Sequence, residues 1–162
     1  MNRIFLGLGT NLGDRAKNLQ AALEKIIESV GAVASSSSVY ETEPWGFASE
    51  NKFLNMVVEV KTLLKPSGLL GRILMIESQM GRTREGKEYK SRIIDIDILL
   101  YNNRILTKSA LTVPHPGLQD RRFVLEPLAE IAPDFIHPVY KKSIKDLLIE
   151  CNDEGKVYKL KS

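Results

Sequence analysis

The order of signals along the chain predicts an α+β fold, βαββαβ and ferredoxin-like. It has an antiparallel sheet with helices packed on one face, then a C-terminal irregular and helical extension. Two observations predict it. Strand patterns at residues 4–8, 32–42, 53–60 and 92–100 are separated by helical stripes only after the first and the third. Beyond residue 110 the chain carries Pro114, Pro116, Pro133 and Pro138, which interrupt regular patterns. The 162 residues make a single domain, 1–162, and their 43% hydrophobic and 27% charged content suits a chain with its own core.

Residues 4–8 are apolar and run into Gly7-Leu8-Gly9-Thr10-Asn11-Leu12-Gly13, a weak match to a dinucleotide-binding turn. Asp14 suits a helix N-cap, Leu19, Ala22, Leu23, Ile26, Ile27 and Val30 form the apolar stripe, and Gly31 stops it. The Ser-rich segment 32–42, flanked by Val33 and Val39, reads as a strand with an exposed face. Residues 43–51, EPWGFASEN, form a loop whose aromatics either cover a ligand or fold back on the core. Residues 53–60 alternate, with Leu54, Met56, Val58 and Val60 on a core face and Phe53, Asn55, Val57 and Glu59 on a mixed one. A ring beside an amide suits a flat heterocycle, and equally an ordinary strand surface. Pro66 opens the second helix, which buries Leu69, Leu70, Ile73, Leu74, Ile76 and Met80, and Gly81 ends it. Asn102-Asn103 marks a turn before a short return strand at 104–106. Residues 111–123 read as irregular, and short helices are expected at 125–131 and 144–149. The link between those helices holds His137, to which no role is given.

The chemistry concentrates in residues 81–101, GRTREGKEYKSRIIDIDILLY. On the strand at 92–100, Ile94, Ile96, Ile98 and Leu100 share one face, and Ile93, Asp95, Asp97 and Leu99 the other. Two carboxylates on one side repel each other unless a cation lies between them, and Mg²⁺ with phosphate oxygens meets that need. Arg82, Arg84, Lys87, Lys90 and Arg92 lie just upstream, so phosphoryl-type transfer fits. With no aliphatic anchor and Tyr89 as its only large ring, the segment 82–91 is expected to be a lid that orders over phosphates. Gly81 to Lys87 imitates a phosphate-binding P-loop, but Glu88 replaces the Ser or Thr that would hold Mg²⁺, and a strand follows where a helix should. His115, fixed between two prolines and close to Arg121-Arg122, suits a phosphate contact.

Net charge of +3 argues against a nucleic-acid polycation, and the lone Cys151 excludes an internal disulfide. No apolar run approaches the roughly 18 residues of a membrane span, and the N-terminus enters a strand at once, so a cytoplasmic protein is expected. An RNA-binding sheet and a metal-dependent nuclease stay open at this point, since aromatic strand faces serve the first and D-x-D the second.

Six segments carry a more specific resemblance. They are Gly9-Thr10-Asn11-Leu12-Gly13-Asp14, residues 40–46, Phe53-Leu54-Asn55, Gly81-Arg82-x-Arg84, Arg92-x-x-Asp95-x-Asp97-Ile98-Leu99 and Leu111-Thr112-Val113-Pro114-His115. Together they resemble the 6-hydroxymethyl-7,8-dihydropterin pyrophosphokinase family of folate biosynthesis. The resemblance implies Mg²⁺-dependent transfer of diphosphate from ATP to a pterin alcohol, with two ions held by Asp95 and Asp97. Arg82 and Arg92 would act on the transferring phosphates, and Glu77, Arg84, Ile98, Thr112, His115 and Arg121 would surround ATP. Thr42, Pro44, Trp45, Gly46, Phe53, Asn55 and Phe123 would hold the pterin. The partners implied are these small molecules alone, for a monomer with no nucleic acid or membrane. Thr10 stands where the family commonly has Ser, Phe53 where Tyr can occur, and Tyr89 where the lid aromatic can be Trp.

Overall fold

A computed structural model of the chain describes residues 1–43, 52–81 and 93–160. The described elements are β1 (Asn2–Thr10), α1 (Arg15–Ser29), β2 (Ala32–Ser36), β3 (Tyr40–Thr42), β4 (Phe53–Thr62), α2 (Pro66–Gln79), β5 (Asp95–Tyr101), β6 (Leu106–Thr107), β7 (Thr112–Val113), a short 3₁₀ turn at Leu118–Asp120, α3 (Arg122–Ile131), α4 (Ile144–Glu150) and β8 (Val157–Lys159). The main sheet runs β5-β1-β4-β3-β8, with β2 also on β4. Every pairing in it is antiparallel.

Local chemistry explains the elements. Asp14 caps α1 by accepting from the Lys17 N–H at 3.1 Å. At its other end α1 passes so close to β4 that a Cβ on Gly31 would lie 2.0 Å from the Lys61 carbonyl, so only glycine fits. The strand expected over 32–42 is two strands, β2 and β3, both paired to β4. Between them Ser37 keeps contact with β4, its N–H donating to the Val57 carbonyl and its hydroxyl accepting from the Val57 N–H. Residues 111–123, expected to be irregular, contain β7, the 3₁₀ turn and the start of α3. The short return strand lies at β6, two residues later than its expected start, and pairs with β7.

Two apolar layers flank the sheet. Ile4, Leu6, Leu8, Leu54, Met56, Val58, Val60, Ile96 and Ile98 pack under α1 and α2, as the alternation predicts. Ile27, included in the α1 stripe, is instead 57% exposed. The expectation of helices on one face alone needs correction. α3 and α4 cover part of the second face, packing Val124, Leu125, Leu128, Ile144 and Leu147 on Phe5, Val57 and Leu99. The reason lies in the strands, because their second faces carry large apolar residues at just these positions, and such residues are buried where a partner exists.

The tail is tied down by polar contacts that no sequence pattern announced. Arg122 donates to the carbonyls of Asp153 and Cys151, and its N–H reaches the Asp153 carboxylate at 3.0 Å. β8 then pairs with β3. Glu130 of α3 accepts from Tyr40 at 2.7 Å and from Ser38, with Lys159 beside it at 3.5 Å. His137 is 2% exposed, and its Nδ1 accepts from the Val139 and Tyr140 N–H groups, a turn-capping part.

Leu125→Ala is expected to destabilise the protein by about 2–5 kcal/mol, since it empties the middle of the second layer. Ile149→Ala, at a position 75% exposed, should change stability by no more than about 0.5 kcal/mol. Urea unfolding of the two variants separates them. Equal small losses would mean that α3 does not seal that face.

Candidate active site

The second face changes character along the strands. Phe5, Val57 and Leu99 are buried under α3 and α4, whereas Gly7, Gly9, Asn55, Asp95 and Asp97 follow on the same side. Cross-strand register sets the arrangement. Asp95 lies opposite Gly9, which lies opposite Asn55, and Asp97 lies opposite Gly7, which lies opposite Val57. Strands are spaced about 4.8 Å apart, so roughly 10 Å separates the acid pair on β5 from the amide on β4. The glycines between them contribute no side chain to that floor. A Cβ on Gly9 would come within 3.0 Å of Asn55 Oδ1 and 3.7 Å of the Phe53 ring.

On the β4 side, Asn55 and Thr42 are both buried, and the Asn55 amide donates to Thr42 Oγ1 at 2.7 Å. Phe53 sits opposite Thr42 at the strand end. An aromatic ring, a fixed amide and a hydroxyl thus converge at one end of the floor. The Thr10 and Asn11 side chains at the end of β1 are buried as well, with Thr10 Oγ1 accepting from Asn18 at 3.1 Å.

On the β5 side, a cleft of about 290 Å³ runs between α2 and the segment from Ser109 to Pro116, and Asp97, Ile98, Thr112 and His115 line it together with Ile73 and Leu70. The Glu77 side chain is 1% exposed, and its Oε2 accepts the Ile96 N–H at 2.9 Å. β5 is an edge strand, so this carboxylate serves a backbone donor on its outer side. His115 places Nε2 4.0 Å from Asp97 Oδ2, while its Nδ1 accepts the Gly117 N–H at 3.0 Å. That bond puts the ring proton on Nε2, facing the acid pair. Burial pushes the His115 pKa down to about 4, with Arg121 adding to the push and Asp95 opposing it. The ring is therefore neutral at neutral pH. Arg121 lies over Gly117 and 5.9 Å from the Phe123 ring centre, whereas Arg122 turns away to the tail.

The structure thus brings together Asp97, Ile98, Thr112 and His115 at the cleft, with Asp95 two residues along β5 on the side of Asp97, and Thr42, Phe53 and Asn55 at the far end of the floor. Arg82, Arg84, Arg92, Pro44, Trp45 and Gly46, with Tyr89 and the expected lid at 82–91, lie outside the described residues. Gly7, whose place between Asp97 and Val57 is plain in the register, was not singled out by sequence reasoning. Its signal was the absence of a side chain on a central strand opposite the D-x-D motif. Two carboxylates on one face, with bare glycine beside them, fit a hard cation such as Mg²⁺. They leave most of its oxygen shell to be filled by phosphate oxygens and water.

The family model described as 7,8-dihydro-6-hydroxymethylpterin-pyrophosphokinase (HPPK) matches residues 5–133. The chain is 43% identical over 146 residues to an Aquifex aeolicus protein named 2-amino-4-hydroxy-6-hydroxymethyldihydropteridine pyrophosphokinase, covering 90% of each. A Porphyromonas gingivalis protein of the same name is 46% identical over 138 residues, 83% of this chain and 93% of that one. Among solved structures, a Plasmodium falciparum HPPK-DHPS chain with SDX-DHP has a TM-score of 0.74 at 21% identity, over 93% of this chain and 43% of that one. The chain spans less than half the length of that solved protein, and the likeness speaks for the fold alone.

The neutral His115 makes a pH prediction. Its folded pKa is below the unfolded value near 6.5, so the unfolded chain binds the extra proton, and stability falls as pH drops from about 6.5 towards about 4. His115→Gln should remove about 2–3 kcal/mol of that loss. Urea unfolding at pH 7 and pH 4.5 measures it, with His137 present in both proteins. An identical pH slope in wild type and variant would contradict a half-buried, neutral His115.

Proposed function

The chain belongs to the 7,8-dihydro-6-hydroxymethylpterin-pyrophosphokinase family, and on that premise we propose how its residues perform the reaction. The enzyme transfers diphosphate from ATP to the hydroxymethyl group of 6-hydroxymethyl-7,8-dihydropterin in folate biosynthesis. The pterin alcohol oxygen bonds to the β-phosphorus as the bond from that phosphorus to the α,β-bridging oxygen breaks. AMP leaves with the bridging oxygen, and the alcohol proton is released.

One observation carries the assignment of roles, the floor with the acid pair at one end and the ring, amide and hydroxyl at the other. ATP occupies the cleft lined by Ile98, Thr112 and His115, with Glu77 beneath, so its phosphates reach Asp95 and Asp97. The two carboxylates would hold two Mg²⁺ ions, whose positive charge would offset that of the ATP phosphates. The His115 Nε2–H donates to a phosphate oxygen, and Arg121 sits on the same side. The pterin stacks between Phe53 and Phe123, and Asn55 reads its edge. Thr42 fixes the Asn55 amide, leaving Oδ1 toward the floor to accept from a ring N–H. Arg82 and Arg92 act on the transferring phosphates, and Arg84, Pro44, Trp45 and Gly46 complete the two substrate sites. These roles follow the family resemblance. Positioning and electrostatics supply most of the rate. We also place the βαββαβ core in the ferredoxin-like class. The order β5-β1-β4-β2 supports it, because each β-α-β pair is split by a strand of the other.

Asp97→Ala is expected to keep its circular dichroism and lose at least about 100-fold in kcat/KM, since metal clamping is worth several kcal/mol at the transition state. With the wild type, AMP should accumulate in step with pterin consumption. ADP as the nucleotide product would reject diphosphate transfer, and normal turnover of the variant at saturating Mg²⁺ would remove Asp97 from the metal site.

A further inference from the structure

We propose that Arg15, the first residue of α1, is a positioning residue that sets the pterin end of the site from behind the sheet. The inference rests on the pyrophosphokinase reading above. The Arg15 guanidinium reaches two strand ends with one nitrogen. Its Nη1 donates to Glu41 Oε2 at 3.1 Å and to the Lys52 carbonyl at 2.9 Å. Glu41 precedes Thr42 on β3, and Lys52 precedes Phe53 on β4. Thr42 and Phe53 are themselves cross-strand partners, facing the side opposite to Glu41 and Leu54. Arg15 therefore holds together, on the α1 side, the two strand ends whose next residues form the pterin end on the other side.

The same helix end holds the third wall. Asp14 caps α1, and Asn18 donates to Thr10 Oγ1 and to the Leu12 carbonyl at 2.7 Å, fixing the turn that follows Gly9. α1 begins as a bracket that joins the ends of β1, β3 and β4. Arg15 is its charged arm toward β3 and β4. Both partners of the ion pair are partly buried, so the pair is screened less than one on open surface. The Lys52 ammonium lies 3.8 Å from Glu43 instead, so a second ion pair joins the same two strand ends just beyond the first.

Geometry of this kind acts on one substrate and not on the other. Thr42 holds the Asn55 amide, so a change in the spacing of β3 and β4 turns the group that reads the pterin, while the cleft beside β5 lies across β1 and is left in place. Arg15→Ala should raise the pterin KM and Kd by about 5- to 20-fold, the range of a charge-assisted hydrogen bond together with a partly screened ion pair. The Kd for a non-hydrolysable ATP analogue should stay within about twofold, because no atom at the cleft has moved. Arg15→Lys, which keeps the charge on a head of different shape, should recover part of the pterin affinity.

Glu41→Gln leaves the guanidinium bonded to Lys52 and should produce a smaller shift, and the double variant should be no worse than Arg15→Ala alone. Lys17→Ala, at a position 86% exposed on the same helix turn, serves as the control and should change nothing. The measurement is pterin and ATP-analogue binding by calorimetry, with steady-state KM and kcat, on the wild type and the five variants. A selective loss of pterin affinity that grows from Glu41→Gln to Arg15→Ala supports the proposal. Equal losses for both ligands, or unchanged pterin affinity, would overturn it. If Arg15→Ala fails to fold, Arg15→Lys and Glu41→Gln decide by the same criterion. Wild-type protein that releases no AMP with pterin would instead sink the pyrophosphokinase reading, whatever Arg15 does.

Discussion

Everything in this protein depends on the register of three strands. β1 lies between β5 and β4, and its pairing puts Gly9 between Asp95 and Asn55 and Gly7 between Asp97 and Val57. A slip of one residue on either side would send the carboxylates or the amide into the layer under α1 and α2. Burial prevents the slip. Ile4, Leu6 and Leu8 on β1, with Ile96 and Ile98 on β5, are committed to the helical side, and each would have to move to water. The polar face of the site is thus placed by the apolar face behind it.

The second face divides its labour along the strand axis. Where Phe5, Val57 and Leu99 point outward, α3 and α4 cover them, and beyond them the same side of the strands switches to Gly, Asn and Asp. The covered half anchors the tail that also carries Arg121, Phe123 and, through Glu130 and β8, the outer support of β3. Asp95, Asp97, Asn55 and Phe123 thereby sit on strands and on a packed helix end, which keep their geometry better than free loops. A buried carboxylate and a half-buried imidazole show the same economy. Glu77 closes the outer edge of β5, and His115 is kept neutral with its proton toward Asp97.

Much of this was legible in the sequence, and the reasons are specific. The period of two in residues 92–100 placed Asp95 and Asp97 on one side, and the alternation from Phe53 placed Asn55 with the ring. The stripe of Leu19, Ala22 and Ile26 gave a helix that the structure repeats, capped by Asp14 as expected. What escaped was set by contacts distant in sequence. The bond between Ser37 and Val57 that splits one strand into two, the Arg122 contacts to Asp153, and the pairing of β8 with β3 have no local pattern. The covering of the second face was misjudged for a related reason. The short α3 and α4 show too few turns for their buried sides to point to a particular sheet face.

The central claim is that Asp95 and Asp97 hold the cations that meet the phosphates of ATP on the glycine floor. Anomalous diffraction from crystals grown with Mn²⁺, a non-hydrolysable ATP analogue and pterin addresses it most directly. The account predicts Mn²⁺ peaks about 2.0–2.3 Å from carboxylate oxygens of both Asp95 and Asp97, shared with phosphate oxygens. Nucleotide bound in the cleft with no metal at either carboxylate, or metal held elsewhere on the chain, would contradict it.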